Sequence, residues 1–292
     1  MPRDFGNTIG GGKNVRDVQS CAQDRIQLHE SGPRSSIEQQ PLLTISIDDG
    51  YVSDFSAAEL LCKFGLKATF YIPRSNPERP VMTVSQMREL GTVFDIGGHT
   101  LSHHPLPPLD GERAWGEIRG CKDWLEDVLG RTIQSFCYPR GKYDRRIRNL
   151  IKKAGFVGAR TCRYNLNSLP RDPFEAGVST EAFSHSVAVH LRHAVLGNNY
   201  RGLIDFFRIH SMARDWEFHF HRALDWVETH GGVAHLYLHS WEIENQGAWR
   251  KLERVLQAAS SRKRLVPATN TDVFGLATAN IENRNPSNPF TF

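Results

Sequence analysis

Two aspartates, two histidines and a third, distant histidine carry the chemical content of this chain. Asp48 and Asp49 stand side by side in SIDDG, His99 and His103 are four apart in HTLSH, and His239 closes the segment AHLYLH. Two imidazoles and one carboxylate make a donor set for zinc or a related divalent metal, with a coordination position left for substrate or water. Only one aspartate of the pair need bind. The other is then a carboxylate beside activated water, where a general base is needed. His239 offers a proton donor with an ordinary pKa close to neutrality. Each fragment has a plain alternative. Asp-Asp-Gly is commonly a turn, H-x-x-x-H can be two solvated or capping histidines, and a lone strand histidine is commonly a hydrogen-bonded core residue. His104, next to His103, reads as a loop residue.

What joins the fragments is the pattern of elements before them. Leu42–Ile47 is a β-branched run that ends at Asp48. Strands are also expected at Ala68–Ile72, Val93–Gly97, Gln134–Tyr138, Phe156–Thr161 and Val233–Leu238. Helical spacing is expected over Ser53–Phe64, Val84–Leu90, Glu112–Leu129, Asp144–Ala154, Asp215–Thr229 and Gly247–Ala259, several of these stopping at glycine. Strands alternating with helices predict a parallel sheet, doubly wound or closed into a barrel. In such folds ligands bind where the strands end. Asp48 and Asp49, the histidine pair, Pro139–Gly141 and His239–Trp241 all follow strand ends, so parallel strands would aim them into one pocket.

The rest of the chain sets bounds. Its 292 residues are 39% hydrophobic and 23% charged, enough for one large core. Thirty-six basic against 32 acidic residues leave +4, too weak and too scattered to argue for nucleic acid. No apolar run approaches the ~18 residues of a membrane span, and the first residues lack a secretory pattern, so a cytoplasmic protein is expected. The five cysteines are isolated from one another and read as reduced thiols. Residues 1–40 read as a polar extension, with a short helix near Val15–Leu28 and with residues 1 to about 38 dispensable for chemistry, and 41–292 as the catalytic unit. Residues 163–214, rich in Pro, Asn, Ser and histidines including His185, His190 and His193, are expected to be irregular, to select substrate, and to hold no second metal.

The motifs resemble those of the polysaccharide deacetylases, the carbohydrate esterase group with the NodB-homology domain. Ser46-Ile47-Asp48-Asp49-Gly50 is similar to its T-F-D-D-G, His99-Thr100-Leu101-Ser102-His103 to its H-S/T-x-x-H, and Leu238-His239 to the leucine and histidine that end its last core strand. The resemblance implies a distorted (β/α)7 barrel and metal-dependent removal of an N- or O-acetyl group from a sugar. It implies Asp49, His99 and His103 as ligands of one divalent ion, zinc first, Asp48 as base and His239 as acid. Tyr138, Arg140, Leu238 and Trp241 would surround the substrate, with the Arg140 N–H as oxyanion donor. Two departures stand out. Cys137 occupies the place where the family's third motif carries a base-supporting arginine, for which Arg171 or Arg140 are the stand-ins, and no Asp-Trp motif is found near Arg160–Tyr164.

The expected substrate is an acetylated sugar, a sugar nucleotide or a lipid-linked glycan, in surface polysaccharide or lipopolysaccharide assembly. The rivals are a ureide-type amidohydrolase of the same fold, which would have a narrow closed pocket, and a barrel that has lost catalysis and serves as a scaffold.

Overall fold

The computed structural model describes residues 40–284. The expected N-terminal extension and its short helix lie outside the described residues. Among the described residues eight strands form one sheet: β1 (Pro41–Asp48), β2 (Thr69–Ile72), β3 (Asp95–Gly98), β4 (Ser135–Cys137), β5 (Gly158–Arg160), β6 (Thr180–Glu181), β7 (Gly232–Leu238) and β8 (Val266–Ala268). The order is β5-β4-β3-β2-β1-β7-β6, with every neighbouring pair parallel. β8 pairs with the first half of β1 at Leu42–Thr44, while β2 pairs with its second half at Ser46–Asp48.

The outer strands are brought together by the segment leading into β6. Ala176 bridges in parallel to Arg160 of β5, and four residues later Thr180 and Glu181 pair with Leu236 and Tyr237 of β7. The sheet therefore curls round on itself as a distorted (β/α)7 barrel.

Alternation along β1 separates two environments. Leu43, Ile45 and Ile47 enter the hydrophobic core that includes the surrounding helices. Thr44, Ser46 and Asp48 face the barrel interior, where Thr44 donates to Asn270 at 2.8 Å and Ser46 pairs with His235 at 2.8 Å. A buried polar strand face must be hydrogen-bonded, and here the partners come from the paired strand β7 and from Asn270 just beyond the paired strand β8.

The helices are α1 (Asp54–Lys63), α2 (Val84–Val93), α3 (Gly111–Leu129), α4 (Arg145–Lys153), α5 (Val187–Leu196), α6 (Tyr200–Arg208), α7 (Trp216–His230), α8 (Ser240–Asn245), α9 (Trp249–Ser260) and α10 (Asn270–Arg284). Side-chain caps start several of them: Thr83 with Gln86 forms a capping box on α2, and Asp110, Asp144 and Asp215 cap α3, α4 and α7.

The expectation of irregular structure over 163–214 is corrected: the segment holds β6, α5 and α6. Its periodicity is hidden because histidines fill core positions. His190 is buried and stacks on Phe206 and His219, and His219 stacks on His210 at 3.8 Å between centroids. Burial pushes His190 and His210 down to about 4, so this group packs as neutral aromatic rings.

Candidate active site

The ends of β1, β3, β4, β5 and β7 meet at one cavity of about 450 Å³, whose lining includes Asp48, Asp49, His99, His103, Arg140 and His239. It is lined further by Tyr164, Tyr237 and Trp241. The turn at Asp49-Gly50 makes this possible. Asp49 has φ +82° and Gly50 φ +67°, and a Cβ at Gly50 would stand 2.7 Å from the Ile72 side chain. Thr100, His103 and Arg140 also hold positive φ in loops around the cavity. Such backbone is costly for non-glycine residues and collects at sites where side-chain placement is over-determined.

Asp49, His99 and His103 bring one donor atom each within 4.8 Å of the others. His103 Nε2 lies 3.0 Å and His99 Nε2 3.7 Å from Asp49 Oδ1. That oxygen is buried and has no partner of hydrogen-bond geometry, so oxygen and nitrogens converge on a common point and not on one another. His99 Nδ1 stands 2.8 Å from the Cys137 carbonyl. A carbonyl only accepts, so the Nδ1–H is fixed and the Nε2 lone pair is turned to the cavity. Burial pushes His99 down to about 4, which keeps that lone pair free at neutral pH. Asp49 is raised by burial, but His103, His239 and His99 outweigh this and hold it well below the carboxylate range. The donors fit a single divalent cation of the zinc type.

Asp48 faces a different partner. Arg160, fully buried at the end of β5, contacts both carboxylate oxygens with one terminal nitrogen. Its guanidinium lies over the Tyr237 ring at 4.2 Å and the Tyr71 ring at 5.5 Å. Burial alone would raise Asp48, yet Arg160, His99 and His239 hold it below its ordinary value. The thiol of Cys137 lies 3.5 Å from Asp48 Oδ2. The arginine expected near Asp48 thus comes from β5, and neither stand-in supplies it. Arg140 pairs with Glu78 at 2.9 Å on the surface, and Arg171 lines other clefts. An arginine closing the apolar strand VGAR was the available signal; it was lost because strand-end arginines are ordinarily solvated.

His239 Nε2 is 3.8 Å from Asp49 Oδ2, and its Nδ1 pairs with Glu242 at 3.0 Å on the first turn of α8. Burial lowers it, but Glu242, Asp49 and Asp48 prevail and raise it to about 10. Glu242 at i+3 is a second residue the sequence left unassigned. Its neighbour in space, Glu181 of β6, is held by Tyr164 at 2.7 Å and His185 at 2.5 Å.

The expected substrate contacts divide. Trp241 lines the cavity with its Nε1 buried and unpaired, and Arg140 lines it too. Tyr138 and Leu238 do not, which corrects their expected placement. Tyr138 is fully buried, donates to the Phe174 carbonyl at 3.1 Å and stacks on Tyr143. Leu238 belongs to the hydrophobic core, because alternation on β7 sends Tyr237 inward and Leu238 outward. His104 is exposed and pairs with Ser102 at 2.8 Å.

Residues 36–159 match the polysaccharide deacetylase family model. That span contains Asp48, Asp49, His99 and His103, and stops before Arg160 and His239. No curated protein sequence matches the chain. Among solved structures, a polysaccharide deacetylase from Bacillus cereus is 22% identical over 45% of this chain and 44% of its own, less than half its length, with a TM-score of 0.41. A family 4 carbohydrate esterase from Streptomyces lividans in complex with acetate is 15% identical over 78% of this chain and 92% of its own, with a TM-score of 0.47. A pseudoenzyme of the same esterase family from Bacillus anthracis is 12% identical over 80% of this chain and 66% of its own, with a TM-score of 0.50. This last likeness is one of fold alone, and a fold does not carry an activity.

Proposed function

Residues 36–159 match the polysaccharide deacetylase family model, and from this we propose a metal-dependent hydrolase that removes an acetyl or similar acyl group from an amino sugar. The observation that supports this most is the placing of Asp49, His99 and His103 together, with Asp48 and His239 on two sides of them. All five side chains line one cavity.

In this reading Asp49, His99 and His103 hold the cation, and we assign zinc. A divalent ion there would supply Lewis acidity, polarising the acyl carbonyl and making water more acidic. Asp48, kept ionised by Arg160, accepts the proton of the attacking water. The Arg140 N–H takes no part in the turn bonds from Gly141 to Tyr138 and from Lys142 to Pro139, and it donates to the oxyanion of the tetrahedral species. His239, protonated at neutral pH, passes a proton to the leaving nitrogen, which departs as an amine. The sum is water plus amide giving carboxylic acid plus amine, with no covalent enzyme intermediate. Trp241 and Tyr164 offer aromatic surface to the sugar.

The substrate class we favour is a sugar nucleotide or a lipid-linked glycan precursor. The test is acetate release by purified protein from a panel of N-acetylated sugar nucleotides, lipid-linked sugars and free oligosaccharides, with and without a chelator. Chelator-sensitive release from a panel member is expected. Stoichiometric metal with no release from any of them would favour the scaffold reading, and release from a ureide alone the amidohydrolase one.

A further inference from the structure

Ten large hydrophobic side chains are exposed among the described residues, and eight of them lie between residues 191 and 218. Leu191, Val195 and Leu196 are on α5, and Tyr200, Ile204 and Phe207 on α6. Met212 and Phe218 follow. On α6 the exposed residues recur at i, i+4 and i+7, one continuous stripe, while Gly202 and Phe206 on its other side are buried. The two helices pack on one another and expose apolar groups beside the cavity. Leu196 is 75% exposed and also lines the cavity, as do Arg192 and His193. Isolated exposed apolar residues mean little, but a concentration of this kind marks a docking surface.

The charges identify the occupant. Residues 187–214 contain four arginines, Arg192, Arg201, Arg208 and Arg214, against one acid, Asp205. A second copy of this chain meeting the face about a two-fold axis would set arginines against arginines. An anionic lipid surface meets both features, taking apolar side chains into the headgroup boundary and pairing arginines with lipid phosphates. No helix among the described residues is long and apolar enough to cross a membrane, so the contact lies in the plane of the interface. We propose that α5 and α6 form a docking face for an anionic membrane surface, presenting the cavity mouth to the headgroup layer. The further consequence, that a lipid-linked acylated sugar enters from the membrane side, rests on the deacetylase reading.

The experiment is co-sedimentation of the full chain with phosphatidylcholine vesicles, with and without phosphatidylglycerol. Binding is expected only with the anionic lipid, and it should weaken as salt rises. Ile204→Asn with Phe207→Ser, and separately Arg208→Glu, should each reduce partitioning about tenfold or more. Hydrolysis of a soluble nitrophenyl acetate by these variants should equal that of the parent, since none of the three residues lines the cavity. Vesicle binding requires no turnover, so it succeeds or fails independently of the deacetylase reading. A parent protein that stays in the supernatant with both vesicles, or binds neutral ones equally, overturns the proposal. So does a dimer in sedimentation equilibrium that the Ile204 and Phe207 substitutions convert to monomer without changing vesicle binding.

Discussion

Arg160 and Asp48 are 112 residues apart in sequence and form a buried ion pair in which one arginine nitrogen reaches both carboxylate oxygens. The pair joins the end of β5 to the end of β1 across the barrel. Cys137 of β4 stands beside the pair, with its thiol 3.5 Å from Asp48 Oδ2.

Removing the arginine strands a buried carboxylate. Arg160→Met should cost about 3–5 kcal/mol in stability, read by urea denaturation. The sign with pH follows from the depressed Asp48. Its contribution to stability is present above the ordinary value of 3.8 and is lost as pH falls through the lower folded value. In the variant the Asp48 pKa rises, so the acid limb of kcat/KM should move to higher pH. An unmoved limb would mean that Asp48 is not the group being titrated.

The proposed metal ligands and the proposed base can be separated. His99→Ala should abolish stoichiometric zinc measured by elemental analysis. Asp48→Asn should retain zinc and lose most activity, because its carboxylate is engaged by Arg160. Zinc retained by the His99 variant would place the site elsewhere.

Glu242 controls the alkaline side. His239 is raised from 6.5 to about 10. Its contribution to stability is therefore full below 6.5 and is lost as pH rises towards 10. A cation on Asp49 would cancel much of that carboxylate's pull, leaving Glu242 as the main support. Glu242→Gln should shift the alkaline fall of kcat/KM to lower pH, by an amount a pH–rate profile resolves. It should also flatten the loss of stability between those two values.

His239→Ala should lower turnover of an N-acetyl sugar by about 10²–10⁴ and keep the metal. The loss should be smaller for an activated ester, whose leaving group needs little protonation. Equal losses on both substrates would make His239 a substrate-positioning residue.

Much of the barrel was legible because βα units leave regular marks. The alternation of Leu43, Ile45 and Ile47 with Thr44, Ser46 and Asp48 states which side of β1 is core and which is interior. Likewise His235, Tyr237 and His239 share the inner face of β7, as period-2 spacing requires. The short strand β6, the proline-bearing β8 and the weakly amphipathic α10 were not legible. Two or three residues carry no period, and Asn, Thr and Gly along α10 dilute its apolar stripe.

By itself the sequence determined the reactive set: a carboxylate pair at one strand end, two histidines four apart after another, and a histidine closing a third. Local chemistry suffices for that, since the residues lie within short motifs whose backbone positions follow from strand and turn. Only the tertiary structure decided who supports them. Arg160 reaches Asp48 from another strand, and Tyr164 and His185 hold Glu181 against His239's side of the cavity. The histidines of 185–219 divide among the Glu181 contact, the cavity wall and packed aromatic rings. These are contacts between elements far apart in the chain, and burial sets their charge. A linear pattern contains neither the distance between Arg160 and Asp48 nor the burial of both.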